Sequence, residues 1–202
     1  MLDYIIVGAG LTGITLAERL ASIGKHVTVI DKRSHVGGNC FDYINKDGIL
    51  VQRYGPHIFN TNDKRVWDYF SRFTDMVYYQ NKVLGLIDGK FVPIPFNFVS
   101  LHTLFPISTA NSIENKTKKI FGENKRISFE ELYKVEDKEL TMLADYIFEK
   151  VFKHYTEKQW GTPPEKVDKK VLERVPCFVT SYENKYFDVK YQGLPAHGYQ
   201  IA

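Results

Sequence analysis

Between residues 8 and 13 the chain reads Gly8-Ala9-Gly10-Leu11-Thr12-Gly13, and an acid, Asp31, closes the second of the two apolar runs that bracket this turn. Each glycine has a physical job. The first permits the tight turn, the second admits a pyrophosphate to the backbone, and the third lets a helix pack against a strand. A helix beginning at Leu11 offers free N–H groups and a partial positive charge to phosphates. Asp31 is placed to accept a hydrogen bond from a ribose hydroxyl. The implied chemistry is dinucleotide binding, with Gly8, Gly10, Leu11, Thr12, Gly13 and Asp31 as contacts. The plain alternative is a strand-to-helix turn that binds nothing; the strand before it, the helix after it and the well-placed acid argue against that. The motif by itself does not separate FAD from NAD.

The elements that must position these residues are legible nearby. Residues 3–7 are rich in β-branched side chains and predict a buried parallel strand. A helix follows from Leu11 to about Ile23, with Leu16, Ala17, Leu20 and Ala21 on one face, and a second strand covers Val27–Ile30. Together they make a β-α-β unit. Gly37-Gly38-Asn39 marks a tight turn, and residues 49–60 predict an extended stretch around Tyr54-Gly55-Pro56-His57. Asn62-Asp63 can cap a short helix carrying Val66, Trp67, Phe70 and Phe73. Asp88-Gly89 favours a hairpin turn. From about residue 100 to 174 the pattern is mainly helical, and its best helix runs from Asp137 to His154 with Leu140, Leu143, Ile147 and Val151 on one stripe. A parallel nucleotide-binding unit followed by helices, not by further β-α repeats, predicts an α/β chain with a Rossmann-like β-α-β core and an inserted, mainly helical substrate domain. The expected divisions are 1–80, 81–185 and 186–202, the last returning to the sheet domain.

Composition narrows the function classes. With 202 residues, 44% hydrophobic and 25% charged, the chain can bury a core without disulfide or metal staples. The net charge of +3 is spread out, so no nucleic-acid stripe or polybasic membrane segment is expected, and it suits an anionic small molecule. Cys40 and Cys177 stand far apart, with no metal-ligand spacing, which fits a reduced, cytoplasmic setting. No apolar run approaches the ~20 residues of a membrane helix. The run at the N-terminus is broken by Asp3 and ends at a glycine, unlike a signal peptide.

Several segments resemble the UDP-galactopyranose mutase family of the bacterial type, matching its N-terminal half. They are Gly37-Gly38-Asn39 after Asp31-Lys32-Arg33, Tyr54-Gly55-Pro56-His57-Ile58-Phe59, and Tyr155-Thr156-Glu157-Lys158-Gln159-Trp160-Gly161. Arg174-Val175-Pro176, Tyr186-Phe187, Tyr191-Gln192-Gly193-Leu194-Pro195 and Gly198-Tyr199 follow at similar spacing. The resemblance implies an isomerase that interconverts UDP-galactopyranose and UDP-galactofuranose through a covalent adduct between the sugar and N5 of FAD, active when the flavin is reduced. It adds Lys32, Gly38, Asn39, His57 and Ile58 to the FAD contacts. His57 and Arg174 become the catalytic residues, and Asn81, Phe152, Tyr155, Thr156, Trp160, Arg174 and Tyr186 the substrate contacts. In that assignment Arg174 pairs with the diphosphate, Tyr155 stacks on uracil and Trp160 lies beneath the sugar. Without the resemblance, Arg174 reads as a solvated charge and the aromatics as core. A lid over 165–190 and a homodimer are further implications.

The chain also departs from the family pattern. Asn60 stands where a second histidine is usual, Val151 where an aromatic is expected, with Phe152 adjacent, and Phe178 where an arginine is common. The family continues for nearly as long again beyond position 202, so residues 1–202 alone are expected to bind FAD weakly and to be inactive. Two other readings share the glycine turn: a FAD-dependent oxidoreductase of the amine-oxidase type, and a non-catalytic relative that binds UDP or FAD. The first leaves the Tyr155–Gly161 segment unexplained; the second is supported by Asn60 and Phe178 and predicts UDP binding without turnover.

Overall fold

The computed structural model describes residues 4–163, 166 and 176–201, with the side chains of His154, Gln159 and Trp160 outside the description. It divides into two compact units, Met1–Gln80 with Val189–Ala202, and Asn81–Asp188.

The first unit begins with the expected β-α-β. Strand β1 (Tyr4–Val7) pairs in parallel with β2 (Val27–Ile30), Tyr4 opposite Val27, and α1 (Leu11–Ser22) connects them. Gly38–Cys40 form a single 3₁₀ turn. A hairpin of β3 (Asp42–Ile44) and β4 (Leu50–Gln52) follows. The extended stretch predicted over 49–60 is therefore two strands with a turn between them. β4 ends at Gln52 and β5 starts only at Phe59 (Phe59–Thr61), because Gly55, at φ +92°, turns the chain. Asp63 caps α2 (Lys64–Phe70) by accepting from the Arg65 N–H. The unit closes when β11 (Tyr191–Pro195) inserts antiparallel between β5 and β6 (Met76–Tyr78).

The second unit carries the hydrophobic core. Its hairpin, β7 (Val83–Ile87) and β8 (Lys90–Ile94), turns at Asp88-Gly89, both left-handed, as two-residue hairpin loops require. Helices α3 (Phe98–Leu104), α4 (Ile107–Phe121), α5 (Phe129–Tyr133) and α6 (Lys138–Ile147) follow. Two-residue strands β9 (Arg126–Ile127) and β10 (Phe178–Val179) pair antiparallel in the same unit, with Phe178 opposite Ile127. Phe96, Phe98, Leu101, Ile113, Leu140, Leu143, Ile147 and Phe178 form the center of the core.

The single helix predicted from Asp137 to His154 is a correction. It is three pieces: α6, a π-helical segment over Phe148–Lys153, and α7 (His154–Trp160). Widening the turn by one residue rotates the following face. Leu140, Leu143 and Ile147 keep the predicted stripe, but beyond it Phe152 is the buried residue and Val151 is only partly so. Phe152 packs edge-on against Phe129 at 4.8 Å. No helix among the described residues is long and apolar enough to cross a membrane.

Candidate functional site

The glycine turn is built from backbone contacts that side chains would prevent. A Cβ on Gly13 would lie 1.9 Å from the Gly8 carbonyl oxygen, so helix α1 can start against β1 only with glycine there. The second glycine pair lies on the first turn. Gly37, at φ +87°, donates its N–H to the Ala9 carbonyl at 2.8 Å, and a Cβ on Gly38 would come within 2.9 Å of the Gly10 Cα. Gly8, by contrast, faces open space. Gly10 caps α1 without any side-chain hydrogen bond, and the first turn of the helix holds no acid. Its leading N–H groups thus have no side-chain cap, and the first turn itself carries no acid to compete with a pyrophosphate.

Asp31 does more than wait for a ribose. Its Oδ2 accepts the Ala9 N–H at 2.7 Å and its Oδ1 the Arg33 N–H at 2.8 Å. The Arg33 and Ala9 donors hold its carboxyl below the usual range. Each oxygen keeps a second lone pair for a hydroxyl. Lys32 and Asn39 are exposed beside this turn, as are Leu11 and Thr12 at the start of α1. The uncapped helix start and the glycine-lined cradle fit the FAD implied by the resemblance.

His57 sits in the loop between β4 and β5. Its Nδ1 is 2.8 Å from the Gly55 carbonyl, which can only accept, so Nδ1 carries a proton and in the neutral ring Nε2 is the open acceptor. Ile58 is half-buried beside it, and Asn60 turns its amide back to donate to the Ile58 carbonyl at 2.9 Å. The same unit has a cavity of about 370 Å³ between α1 and α2, lined by Leu11, Thr15, Phe59, Asp63, Arg65, Val66, Tyr69 and Phe70.

In the second unit, a cavity of about 330 Å³ brings together three of the predicted substrate residues, Phe152, Tyr155 and Tyr186. Its other walls are all of β7, Ile94, Lys150 and Val151. The π-helical segment places Val151 and Tyr155 on this cavity. Tyr155 keeps half its surface open, and Phe152 is 7% exposed. Asn81 reaches the same region through its backbone, its carbonyl accepting the Tyr186 N–H at 3.1 Å, and Arg126 donates to the Tyr186 carbonyl at 3.1 Å. Burial raises the Tyr186 phenol, and the nearby Tyr155 adds to this. Thr156 is 3% exposed. Arg174 and the Trp160 side chain lie outside the described residues, as do residues 165 and 167–175 of the lid expected over 165–190.

Three features of this cavity were not legible in advance. Hairpin register is one. A two-residue loop makes Ile87 and Lys90 a hydrogen-bonded pair, so Leu84, opposite Pro93, and Leu86, opposite Phe91, belong to the alternate pairs. Their backbone N–H and C=O groups point off the free edge of β7. Pro93, with no N–H, occupies a position that needs none. Lys150 is the second. It donates to Asp88 at 2.6 Å, and Tyr146 donates to the same carboxylate at 2.7 Å, tying the hairpin tip to the helices. The π turn is the third. Among the described residues no cluster of His, Cys, Asp or Glu could hold a metal ion.

Comparison with known proteins agrees with both units. A family model described as an NAD(P)-binding Rossmann-like domain matches residues 6–73, and one described as UDP-galactopyranose mutase matches residues 150–202. The UDP-galactopyranose mutase of Mycoplasma genitalium is 36% identical over 199 residues, covering 98% of this chain and 49% of that protein. A dTDP-fucopyranose mutase of Escherichia coli is 31% identical over 200 residues, covering 98% of this chain and 52% of that protein. A crystal structure of reduced UDP-galactopyranose mutase shares the fold at a TM-score of 0.61 and 19% identity, over 89% of this chain and 38% of that one. The chain spans about half the length of the curated relatives it matches.

Proposed function

We propose that this chain, related along nearly its whole length to UDP-galactopyranose mutases, is the N-terminal half of a FAD-dependent mutase of pyranose nucleotide sugars, with UDP-galactose as the sugar nucleotide. The observation that carries the reading is that the chain holds both the glycine cradle, within the segment the Rossmann-like model matches, and a cavity whose Phe152, Tyr155 and Tyr186 fall within the segment the UDP-galactopyranose mutase model matches.

In this reading Gly8, Gly10, Leu11, Thr12, Gly13, Asp31, Lys32, Gly38, Asn39 and Ile58 hold FAD, with the pyrophosphate at the uncapped start of α1. Bound and reduced, FAD supplies the nucleophile for covalent exchange at the sugar. His57 faces the cofactor with Nε2 as acceptor. Tyr155 offers its open face to the pyrimidine base, and the outward backbone groups of Leu84 and Leu86 match a base edge that carries both a donor and an acceptor. Phe152 and Tyr186 line that pocket, Asn81 and Thr156 are assigned as further nucleotide contacts, and Arg174 and Trp160 serve the diphosphate and the sugar. The dTDP-fucopyranose mutase among the relatives differs in its sugar, so a pyrimidine nucleoside diphosphate is what the two kinds of relative have in common.

The test is turnover by the full natural polypeptide, FAD-loaded and reduced with dithionite, given UDP-galactofuranose and followed by chromatography of the sugar nucleotides. Formation of UDP-galactopyranose that stops when the flavin is oxidised is expected. Flavin and UDP both bound, with no conversion of UDP- or dTDP-sugars in either flavin state, would contradict the reading.

A further inference from the structure

His57 is gripped from behind by one residue close to it in sequence and one far from it. The Gln52 side chain brackets its peptide as a strand partner would, Oε1 accepting the His57 N–H at 2.7 Å and Nε2 donating to the His57 carbonyl at 3.3 Å. The Tyr199 hydroxyl donates to the same carbonyl at 2.8 Å. Tyr199 is itself held. The Asp42 carboxylate, 1% exposed, accepts the N–H of Tyr199 at 2.7 Å and of Gln200 at 3.0 Å. Gly198 makes room for this: it lies at φ +89°, and a Cβ there would sit 2.7 Å from Asp42 Oδ2.

A loop on the surface of a unit with so little apolar burial has few ways to be rigid. Here both main-chain polar groups of one residue are satisfied by buried or half-buried side chains, and the ring is oriented by a third bond to Gly55. Unpaired, those groups would exchange their partners for water and the ring would lose its direction. We propose that Gln52 and Tyr199 are positioning residues for His57, and that they keep its imidazole in the Nδ1–H form with Nε2 presented outward. The role assigned to that nitrogen rests on the cofactor reading given above; the grip on the peptide does not.

Two measurements test this. In the FAD-loaded full natural polypeptide, His57→Ala is expected to move the visible absorption of the flavin and lower kcat. Tyr199→Phe and Gln52→Leu should move the absorption in the same direction, with kcat down about 5-fold and about 20-fold and KM for the sugar nucleotide within about twofold, as for lost orientation of one group. Gln52→Glu retains the acceptor for the His57 N–H and should recover most of the Gln52→Leu loss. A shift in His57→Ala with neither in Tyr199→Phe nor Gln52→Leu would overturn the proposal. The second measurement needs no flavin. Nitrogen-15 spectra of the His57 ring in the unliganded protein should show the Nδ1–H tautomer in the wild type and a mixture in Gln52→Leu and Tyr199→Phe. If His57→Ala leaves the flavin untouched, the cofactor reading of His57 fails, and an unchanged tautomer in both variants would sink the positioning role as well.

Discussion

In the unit spanning Asn81–Asp188, Phe98, Leu140, Ile147 and Phe178 are sealed from water, whereas in the unit that carries the glycine turn Ile5 is 69% exposed and Val7 80%. The two are held by different physics. Aliphatic and aromatic burial around α3, α4 and α6 organises the helical unit. The other relies on backbone approach and polar pairing: Gly13 against Gly8, Gly38 against Gly10, Asp42 on the N–H groups of residues 199 and 200. In a unit of the first kind, a lost side chain appears as lost stability. In the second kind, an added atom appears as a lost binding geometry.

The largest effect should come from adding one methyl group. Gly13→Ala must separate α1 from the Gly8 carbonyl, and we expect FAD affinity to fall by at least about 100-fold, measured by flavin fluorescence, while UDP affinity is unchanged. Equal loss of both ligands would break the division between the units. Phe178→Ala should do the opposite. Removing this fully buried ring costs about 3–5 kcal/mol in urea unfolding of the helical unit.

These contrasts also explain what the sequence disclosed. The glycine turn was legible because its constraints are local: Gly8 takes a positive φ of +108°, and Gly13 lies against the Gly8 carbonyl with no room for a Cβ. The Leu140–Leu143–Ile147 stripe was legible because burial imposes a helical period. The π turn after it was not, since one inserted residue leaves an apolar pattern that an ordinary helix also satisfies. Nor was the pairing of β9 with β10, whose two-residue strands are too short to show alternation. Gln52 and Tyr199 act on His57 through side-chain bonds to a peptide, and such a contact between residues 57 and 199 leaves no periodic trace. The glycine before Tyr199 was the one available signal, and its meaning depends on where Asp42 lies.

A smaller effect concerns pH. Glu114, on α4, is 12% exposed, so burial pushes its carboxyl up, but hydrogen bonds from Lys118, Tyr182 and His102 more than offset this and bring it to about 2. An unfolded glutamate titrates near 4.5. The folded group is the stronger acid, so its contribution is complete above pH 4.5 and fades as pH falls toward 2. Compared with Glu114→Gln, the wild type should lose about 2–3 kcal/mol of unfolding free energy across that window. A constant difference between the two proteins from pH 6 to pH 2 would show that the carboxylate is not held by these bonds.

The central claim is that the cofactor belongs to one unit and the nucleotide to the other. Hydrogen exchange of the full natural polypeptide, with FAD alone and then with UDP alone, tests it most directly. FAD should protect the backbone of residues 8–13 and 31–39 and leave 83–87 and 151–156 unchanged. UDP should protect 83–87 and 151–156 and leave the glycine turn unchanged. Protection of the glycine turn by UDP, with the Tyr155 cavity unaffected, would contradict the account.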